Sequence, residues 1–344
     1  MINKLANIVV VGQGAMGLLW YHHLSQASSK PNTKIKPETN LIVSPMTNVR
    51  LLTSDQVLLS NDELTSASYQ FTPYQQRLSQ RYALHYCQAN DIEAADVILL
   101  CLKAYQISAA IKKSLTKLSA KTIIVLAHNG MGTFEDIVPL LSSKQMILAL
   151  LTTHGCLRSG PLAITHTGSG QSDIGLLSAG GVGSQQAQQS TRELAKQLTM
   201  QLAQKLDLAL PTVTFHRDIL KKQWLKLAIN CVINPITALN NIDNGVVNSE
   251  QFTEKIHALL AEITQISKAQ GIDLVLEDLK TVVSSVAKAT EKNCSSMRCD
   301  VLAGKPTEID YINGYIHRLG QKYGIATPEN TQMWQQVLTL SAKG

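Results

Sequence analysis

The chain has 344 residues, 44% of them hydrophobic and 16% charged, so its length exceeds what one hydrophobic core usually supports and predicts two domains. The net charge of +6 is not concentrated in a basic run and aromatic residues are only 5%, which argues against nucleic-acid binding and favours a small anionic ligand. The cysteine spacing predicts reduced thiols without a metal site, and no apolar run is long enough to cross a bilayer, so we expect a cytoplasmic protein with no membrane partner.

The first predicted element is a strand, a glycine-rich turn and a helix. The apolar run from Asn7 to Val11 precedes Gly12-Gln13-Gly14-Ala15-Met16-Gly17, and a helix is predicted from there to about Ser28. In such units the first glycine permits a tight turn, the second lets a pyrophosphate approach the backbone, and the third lets helix and strand pack closely. All six residues of the turn are therefore candidate cofactor-binding residues, and a purely structural glycine turn is the alternative.

The second strand decides which dinucleotide is preferred. We predict it at 41–44, and an NAD site usually presents an acidic residue at its end. The sequence continues without an acid there, which favours NADP and makes Ser44, Thr47 and Arg50 candidate contacts for the 2′-phosphate. Arg50 is alternatively a solvated surface charge. Further short strands are predicted at 56–60 and 67–71.

Two buried-type strands follow, and a polar residue stands after each. The run 95–102 ends at Lys103, and the run 122–127 is followed closely by Asn129. In an open parallel sheet, ligands bind beyond the carboxyl ends of the strands, so both residues are candidate ligand contacts. The alternatives are a lysine that only starts the next helix and an asparagine in a plain turn.

The fold class predicted from this order is an α/β N-terminal Rossmann domain followed by a mostly α-helical C-terminal domain. A strand at 146–151 closes the sheet, short strands extend to Leu177, and the glycine cluster at 179–183 is typical of a linker. The predicted domains are 1–182 and 183–344. The segments with helical spacing after the linker are 185–206, 218–239, 252–270, 274–290, 307–323 and 328–340.

The stretch from Trp224 to Asn244 carries the clearest candidate site. Lys226, Asn230 and Asn234 are four residues apart, and each such step turns a helix only about 40° past a full circle, so one face carries all three. Apolar residues surround this face, which favours a cleft lining, although asparagines that satisfy buried backbone groups are the alternative. Pro235 is expected to interrupt or kink the helix, so Asn244 is not assumed to share the face.

Six segments resemble the ketopantoate reductase (2-dehydropantoate 2-reductase) family in order and spacing. They are GQGAMG, CLKAYQ, AHNGMGT, WLKLAINCVINPITALNN, NCSSM and PTEIDYINGYI. The resemblance covers most of the chain and implies an active site in a cleft between the two domains. It implies NADPH-dependent reduction of ketopantoate, a small anionic 2-oxo acid, to pantoate in pantothenate biosynthesis, by a monomer or homodimer.

The same resemblance implies roles for individual residues. Lys226 resembles the catalytic lysine; Asn230, Asn234 and Asn244 resemble the substrate-side asparagines; Ser296 resembles a substrate-contacting serine; Glu308 resembles an acidic residue of the same pocket that also borders the cofactor; Lys103 and Asn129 resemble cleft residues on the cofactor side. Thr307 is in addition a plausible N-cap that would place Glu308 at a helix start. The family commonly has an arginine near the end of the second strand, where this sequence reads IVSPM. The alternative functions are reduction of another 2-oxo or branched hydroxy acid and non-catalytic NADP sensing.

Overall fold

The computed structural model describes residues 5–28, 34–36, 41–43, 46–53, 67–180 and 185–341. Internal contacts divide the chain into two units: unit 1 comprises Met1–His128 and Glu135–Ile219, and unit 2 comprises Asn129–Phe134 and Leu220–Gly344. Within the described ranges, no helix has the length and apolar character needed to span a membrane. The predicted order, an α/β portion followed by a mostly helical portion, is confirmed.

The strands of the described residues all fall in unit 1. They are β1 (Asn7–Val11), β2 (Lys34–Lys36), β3 (Leu41–Val43), β4 (Asn48–Leu52), β5 (Ser68–Thr72), β6 (Gln80–Ala83), β7 (Val97–Leu100), β8 (Ile123–Leu126), β9 (Ile147–Thr152), β10 (Gly155–Gly160), β11 (Ala163–Gly168), β12 (Ser172–Ser178) and β13 (Val213–His216). The accompanying helices are α1 (Ala15–Ser28), α2 (Ala89–Glu93), α3 (Ala104–Ser114), α4 (Thr133–Ile137) and α5 (Gln185–Ala209).

A seven-stranded sheet in the order β13-β12-β9-β8-β7-β1-β4 forms the centre of unit 1. Every residue of β7 and β8 is buried, as expected for parallel strands covered on both faces. Strands β4, β1, β7, β8 and β9 are parallel, and we call the edge where they end the carboxyl edge. Because β12 runs antiparallel to β9 and β13 runs parallel to β12, these two strands end at the opposite, amino edge.

The partner of β1 is β4, not the predicted segment 41–44. Residues Leu41–Val43 do form a strand, but it pairs antiparallel with β2 in a separate two-stranded sheet. Strand β4 supplies a longer segment with three buried apolar residues, and its register with β1 runs from Asn48 to Leu52. The second strand of the sheet therefore ends at Leu52.

This register changes the expected 2′-phosphate contacts. Thr47 precedes β4 and so lies toward the amino edge, and Arg50 lies within the strand with its Nε 3.7 Å from Asp91 Oδ2. Neither residue follows the end of the strand. Ser44 and the strand predicted at 56–60 lie outside the described residues. The strand predicted at 67–71 is β5, which belongs to a second sheet of order β10-β11-β5-β6.

Unit 2 is helical. Its helices are α6 (Ile219–Asn240), α7 (Thr253–Ala269), α8 (Leu276–Ala289), α9 (Ser296–Leu302), α10 (Asn313–Tyr323) and α11 (Pro328–Ser341). Helix α9 was not predicted, and the helix predicted at 307–323 is a short 3-10 turn, Ile309–Tyr311, followed by α10. The contacts divide the chain at Ile219, whereas the sequence predicted 182, because β13 pairs with β12 and α5 packs on both strands.

A cluster of histidines is buried in unit 1 between α1 and the second sheet. The ring of His22 stacks on Phe71 with centroids 3.7 Å apart, and its Nδ1 lies 2.9 Å from the Tyr69 hydroxyl. His23 on the same helix lies 5.9 Å, ring to ring, from His166. Burial, reinforced by the neighbouring histidines, lowers the pKa of His22 to about 3 and that of His23 to about 4.

We expect unit 1 to lose stability in mild acid. The two pKa values lie below the ordinary 6.5 that applies in the unfolded chain, so the stabilisation is complete above pH 6.5 and declines as the pH falls toward the folded values. At pH 5 each histidine should lower the free energy of unfolding by about 2 kcal/mol relative to neutral pH. Urea unfolding at pH 7.5 and pH 5 measures this difference.

The matched test replaces the histidines with neutral side chains. His22→Gln/His23→Gln should flatten the dependence on pH, whereas replacing the exposed His257 of unit 2 with Gln should leave it unchanged. An equally steep loss of stability in the double variant would contradict this assignment.

Candidate functional site

The glycine turn after β1 has the geometry that a dinucleotide requires. Gly12 has φ +112°, and a Cβ atom there would lie 2.5 Å from the carbonyl oxygen of Cys101. A Cβ atom at Gly17 would lie 1.9 Å from the carbonyl oxygen of Gly12, so this glycine is needed for the helix to pack on the turn. At Gly14, by contrast, a Cβ atom would meet nothing within 4 Å. The open backbone at Gly14 fits the approach of a pyrophosphate at the start of α1.

Lys103 stands at the same carboxyl edge as this turn. It follows the end of β7 and immediately precedes α3, and its backbone N–H donates to Gln106 Oε1 at 3.1 Å. Its side chain is half-buried. The local structure is therefore compatible with a lysine that only starts a helix and with a lysine that contacts a ligand. Lys103 immediately precedes α3 and also stands at the edge where ligands of parallel sheets bind.

In unit 2, helix α6 carries Lys226, Asn230 and Asn234 on one continuous helical face. Lys226 and Asn230 are half-buried, and Asn234 is only 7% exposed. The flanking residues Leu227, Ala228, Cys231 and Val232 are buried in the core of unit 2. The polar face is thus only partly accessible, and the residues that flank it are packed in the core of unit 2.

The expected interruption of this helix at Pro235 is wrong, since α6 continues through the proline to Asn240. Proline has no N–H, so the carbonyl of Cys231, four residues earlier, loses its helical donor. The buried side chain of Asn313 supplies the missing bond: its Nδ2 lies 3.0 Å from Cys231 O. The same amide lies 3.0 Å from Asn330 Oδ1, which ties α10 to α11.

A hydroxyl pair connects α6 to the start of α9. Thr237 Oγ1 lies 2.7 Å from Ile233 O and 2.7 Å from Ser295 Oγ, and all three groups are buried. Ser295 is the N-cap of α9, because its Oγ accepts from the backbone N–H of Arg298 at 3.1 Å. Ser296, the predicted substrate contact, is consequently the exposed first residue of α9.

Asn129 and Glu308 are brought together within unit 2. Asn129 Nδ2 donates to Glu308 Oε2 at 3.4 Å, and Glu308 is 5% exposed. The backbone of the neighbouring residues holds this pair, since Met131 N donates to Tyr311 O at 2.7 Å. A Cβ atom at Gly130 would lie 2.2 Å from the same oxygen, which explains the glycine. The resemblance places Asn129 with Lys103 on the cofactor side, and in the structure the Asn129 side chain contacts Glu308.

Asn244 lies beyond α6, at the start of a 3-10 turn. Its Nδ2 donates to Thr290 Oγ1 at 3.0 Å, and its backbone N–H donates to Asn293 O at 3.1 Å. Its buried Oδ1 has no hydrogen-bond partner among the described residues. Asn244 is therefore anchored through its amide nitrogen and retains one acceptor.

The positioning residues Asn313, Thr237 and Ser295 were not singled out from the sequence. The need for a residue such as Asn313 could be predicted from the sequence. A proline inside an apolar helix leaves the carbonyl four residues earlier without its helical donor, so a donor from outside the helix is required. Asn313 stands in the YING segment that had been noted only for its resemblance. The Thr237 to Ser295 contact joins residues far apart in the sequence and had no such signal.

Comparisons with known proteins agree over the whole chain. The family described as "Ketopantoate reductase PanE/ApbA" matches residues 8–179, and its C-terminal counterpart matches residues 218–341. A Vibrio cholerae serotype O1 protein named 2-dehydropantoate 2-reductase is 33% identical over 97% of this chain and 97% of its own length. Among solved structures, a ketopantoate reductase from Ralstonia eutropha JMP134 and D-mandelate dehydrogenase with NADH and anilino(oxo)acetate each superpose with a TM-score of 0.77 at 20% identity, over 98% of this chain and 99% of theirs.

We expect Asn313→Ala to destabilise the protein by about 1–3 kcal/mol, because the Cys231 carbonyl is left buried without a donor. Pro235→Ala restores a backbone N–H, so Asn313→Ala should cost less in the Pro235→Ala background. Asn313→Ala also removes the bond to Asn330, but this cost is the same in the wild-type and Pro235→Ala backgrounds and so does not affect the difference between them. Urea denaturation of the four proteins measures the coupling, and an equal cost in both backgrounds would show that Asn313 does not compensate for the proline.

Two glycine substitutions should separate folding from ligand binding at the turn. Gly14→Ala adds a methyl group to open space, so the melting temperature should stay near that of the wild type while the dissociation constant for the dinucleotide rises at least about tenfold. Gly17→Ala should instead lower the melting temperature through its clash with Gly12. If Gly14→Ala bound the dinucleotide with unaltered affinity, the turn would not be part of the binding site.

Proposed function

Because this chain belongs to the ketopantoate reductase family of oxidoreductases, we propose that it reduces ketopantoate (2-dehydropantoate) to pantoate with NADPH, with Lys226 as proton donor. The observation that carries the proposal is the half-buried face of α6, on which Lys226, Asn230 and Asn234 follow one another at four-residue intervals. Unit 1 contributes the glycine turn with an open backbone at Gly14.

The lysine suits the chemistry of ketone reduction. Negative charge develops on the carbonyl oxygen of the substrate as the carbon accepts hydride, which a bound reduced nicotinamide supplies. An ammonium group beside that oxygen stabilises the charge and then transfers a proton to it, giving the alcohol. Half-burial of Lys226 strengthens both effects, because charges interact more strongly where water is partly excluded.

The asparagines suit a substrate that carries its own charge. Amide groups donate to a carboxylate and accept from a hydroxyl without adding charge, and we assign Asn230 and Asn234 to these contacts. We assign Asn244 to the substrate side from the family resemblance; its buried Oδ1 has no partner among the described residues. Ser296 is exposed at the first turn of α9, where its hydroxyl can contact the substrate.

Glu308 and Asn129 act as a pair in this proposal. A nearly buried carboxylate needs hydrogen-bond donors, and Asn129 provides one at 3.4 Å. We assign Glu308 to the substrate and cofactor side of the site, with Asn129 fixing the orientation of its carboxylate. Lys103, at the carboxyl edge of the sheet in unit 1, is assigned to the cofactor.

The preference for NADPH rests on the family resemblance. With β4 ending at Leu52, the next residues in sequence are Thr53, Ser54 and Asp55, so the acid-free stretch after Val43 does not follow the strand that pairs with β1. These residues replace Ser44, Thr47 and Arg50 as the positions where selectivity between NADPH and NADH should be tested.

Lys226→Met keeps the length and apolar stem of the side chain but removes the ammonium group. We expect turnover with ketopantoate to fall at least about a hundredfold, while the melting temperature and NADPH affinity stay near the wild-type values. Steady-state kinetics and equilibrium titration measure the two effects.

Lys221→Met is the matched control. Lys221 is exposed on the same helix, about 140° around its axis from Lys226, and its replacement should leave turnover unchanged. The role of Lys226 is refuted if both variants turn over ketopantoate at similar rates.

A further inference from the structure

Unit 1 contains a cavity that the proposed reaction does not use. It is a cavity of about 640 Å³, within the size range of small-molecule sites. The residues that line it come from the loop before β9, the end of β12 and its following turn, the helix α5, and β13. They are Ser143, Leu176, Leu177, Ser178, Ala179, Gly180, Arg192, Glu193, Lys196, Phe215 and Arg217.

The cavity lies at the amino edge of the large sheet. Ser178 at the end of β12 pairs with Ile147 at the start of β9, and β13 runs parallel to β12. The glycine turn follows the end of β1 at the carboxyl edge. Strands of four to seven residues separate the two edges by roughly 15 Å or more. A ligand in this cavity therefore cannot be the pyrophosphate bound at the glycine turn.

The charged groups of the cavity are mainly positive. Three cationic side chains line it, and one carboxylate, Glu193, partly offsets them by lying 3.6 Å from Lys196 Nζ. The guanidinium groups of Arg192 and Arg217 have no ion-pair or hydrogen-bond partner within the part of the chain that the structure describes. Two guanidinium groups that line one cavity without a carboxylate partner are suited to bind an anion through charge-assisted hydrogen bonds.

The remainder of the lining is apolar or neutral. Leu176 and Phe215 are half-buried side chains that pack against the same hydrophobic cluster and offer an apolar surface, and Ser143 and Ser178 add hydroxyl groups. A bare inorganic anion would use the cations and leave the apolar surface without a contact. An organic anion would use both.

We propose that this cavity binds a compact organic phosphate, with its dianionic head on Arg192 and Arg217 and an apolar group against Leu176 and Phe215. The site is separate from the dinucleotide turn and does not depend on which 2-oxo acid the enzyme reduces. Lys196 is a weaker contributor because Glu193 competes for it.

The test uses phenyl phosphate as probe and inorganic phosphate as the comparison without an apolar group, both titrated calorimetrically into the full-length protein. We expect phenyl phosphate to bind at least about tenfold more tightly than inorganic phosphate. Arg192→Gln/Arg217→Gln should raise the dissociation constant of phenyl phosphate at least about tenfold. These arginines are exposed, so the variant should fold, and its melting temperature verifies this.

Two controls locate the site. Arg77→Gln/Arg81→Gln removes the same charge from exposed positions of unit 1 outside the cavity and should leave the affinity for phenyl phosphate unchanged. Gly14→Ala alters the competing phosphate site and should also leave it unchanged. The proposal is overturned if the wild type does not bind phenyl phosphate, if both double variants weaken binding equally, if inorganic phosphate binds as tightly, or if Gly14→Ala abolishes binding.

Discussion

The hydrogen bond from Asn313 to the carbonyl of Cys231 allows one uninterrupted helix to carry the candidate active face. Pro235 removes a helical donor in the middle of α6, and leaving a buried carbonyl without a partner costs about 1–3 kcal/mol. Asn313 satisfies that carbonyl from α10 and also contacts Asn330 of α11. The position of the polar face of α6 therefore depends on α10 and α11, although neither helix contributes a side chain to that face.

The same logic extends to the ends of the neighbouring helices. The buried carboxylate of Glu262 accepts from the backbone N–H of Glu329 at 2.7 Å and from that of Asn330 at 2.9 Å, which caps α11. Ser295 caps α9 and contacts Thr237 of α6. Ser296 thus stands on a helix whose first turn is held by a buried side chain, and such support keeps a side chain in a fixed geometry.

The fold class could be predicted from the sequence because its signals are local. The glycine turn, the apolar runs of β7 and β8 and the four-residue spacing on α6 each depend on adjacent residues. The partner of β1 was misassigned because two short apolar runs, at 41–43 and 48–52, compete for the same place, and only pairing across the sheet distinguishes them. The continuity of α6 was also missed, since the donor that rescues it lies 82 residues away. The bond between Asn129 and Glu308 joins residues 179 apart, and no local pattern reports such a contact.

The proposed activity of this protein is NADPH-dependent reduction of ketopantoate. It is tested most directly by initial rates of the purified protein with ketopantoate and a panel of other 2-oxo acids, measured with NADPH and NADH side by side. We expect ketopantoate with NADPH to give the highest kcat/KM of all combinations. A protein that reduces another 2-oxo acid efficiently while leaving ketopantoate unreacted with either dinucleotide would contradict it.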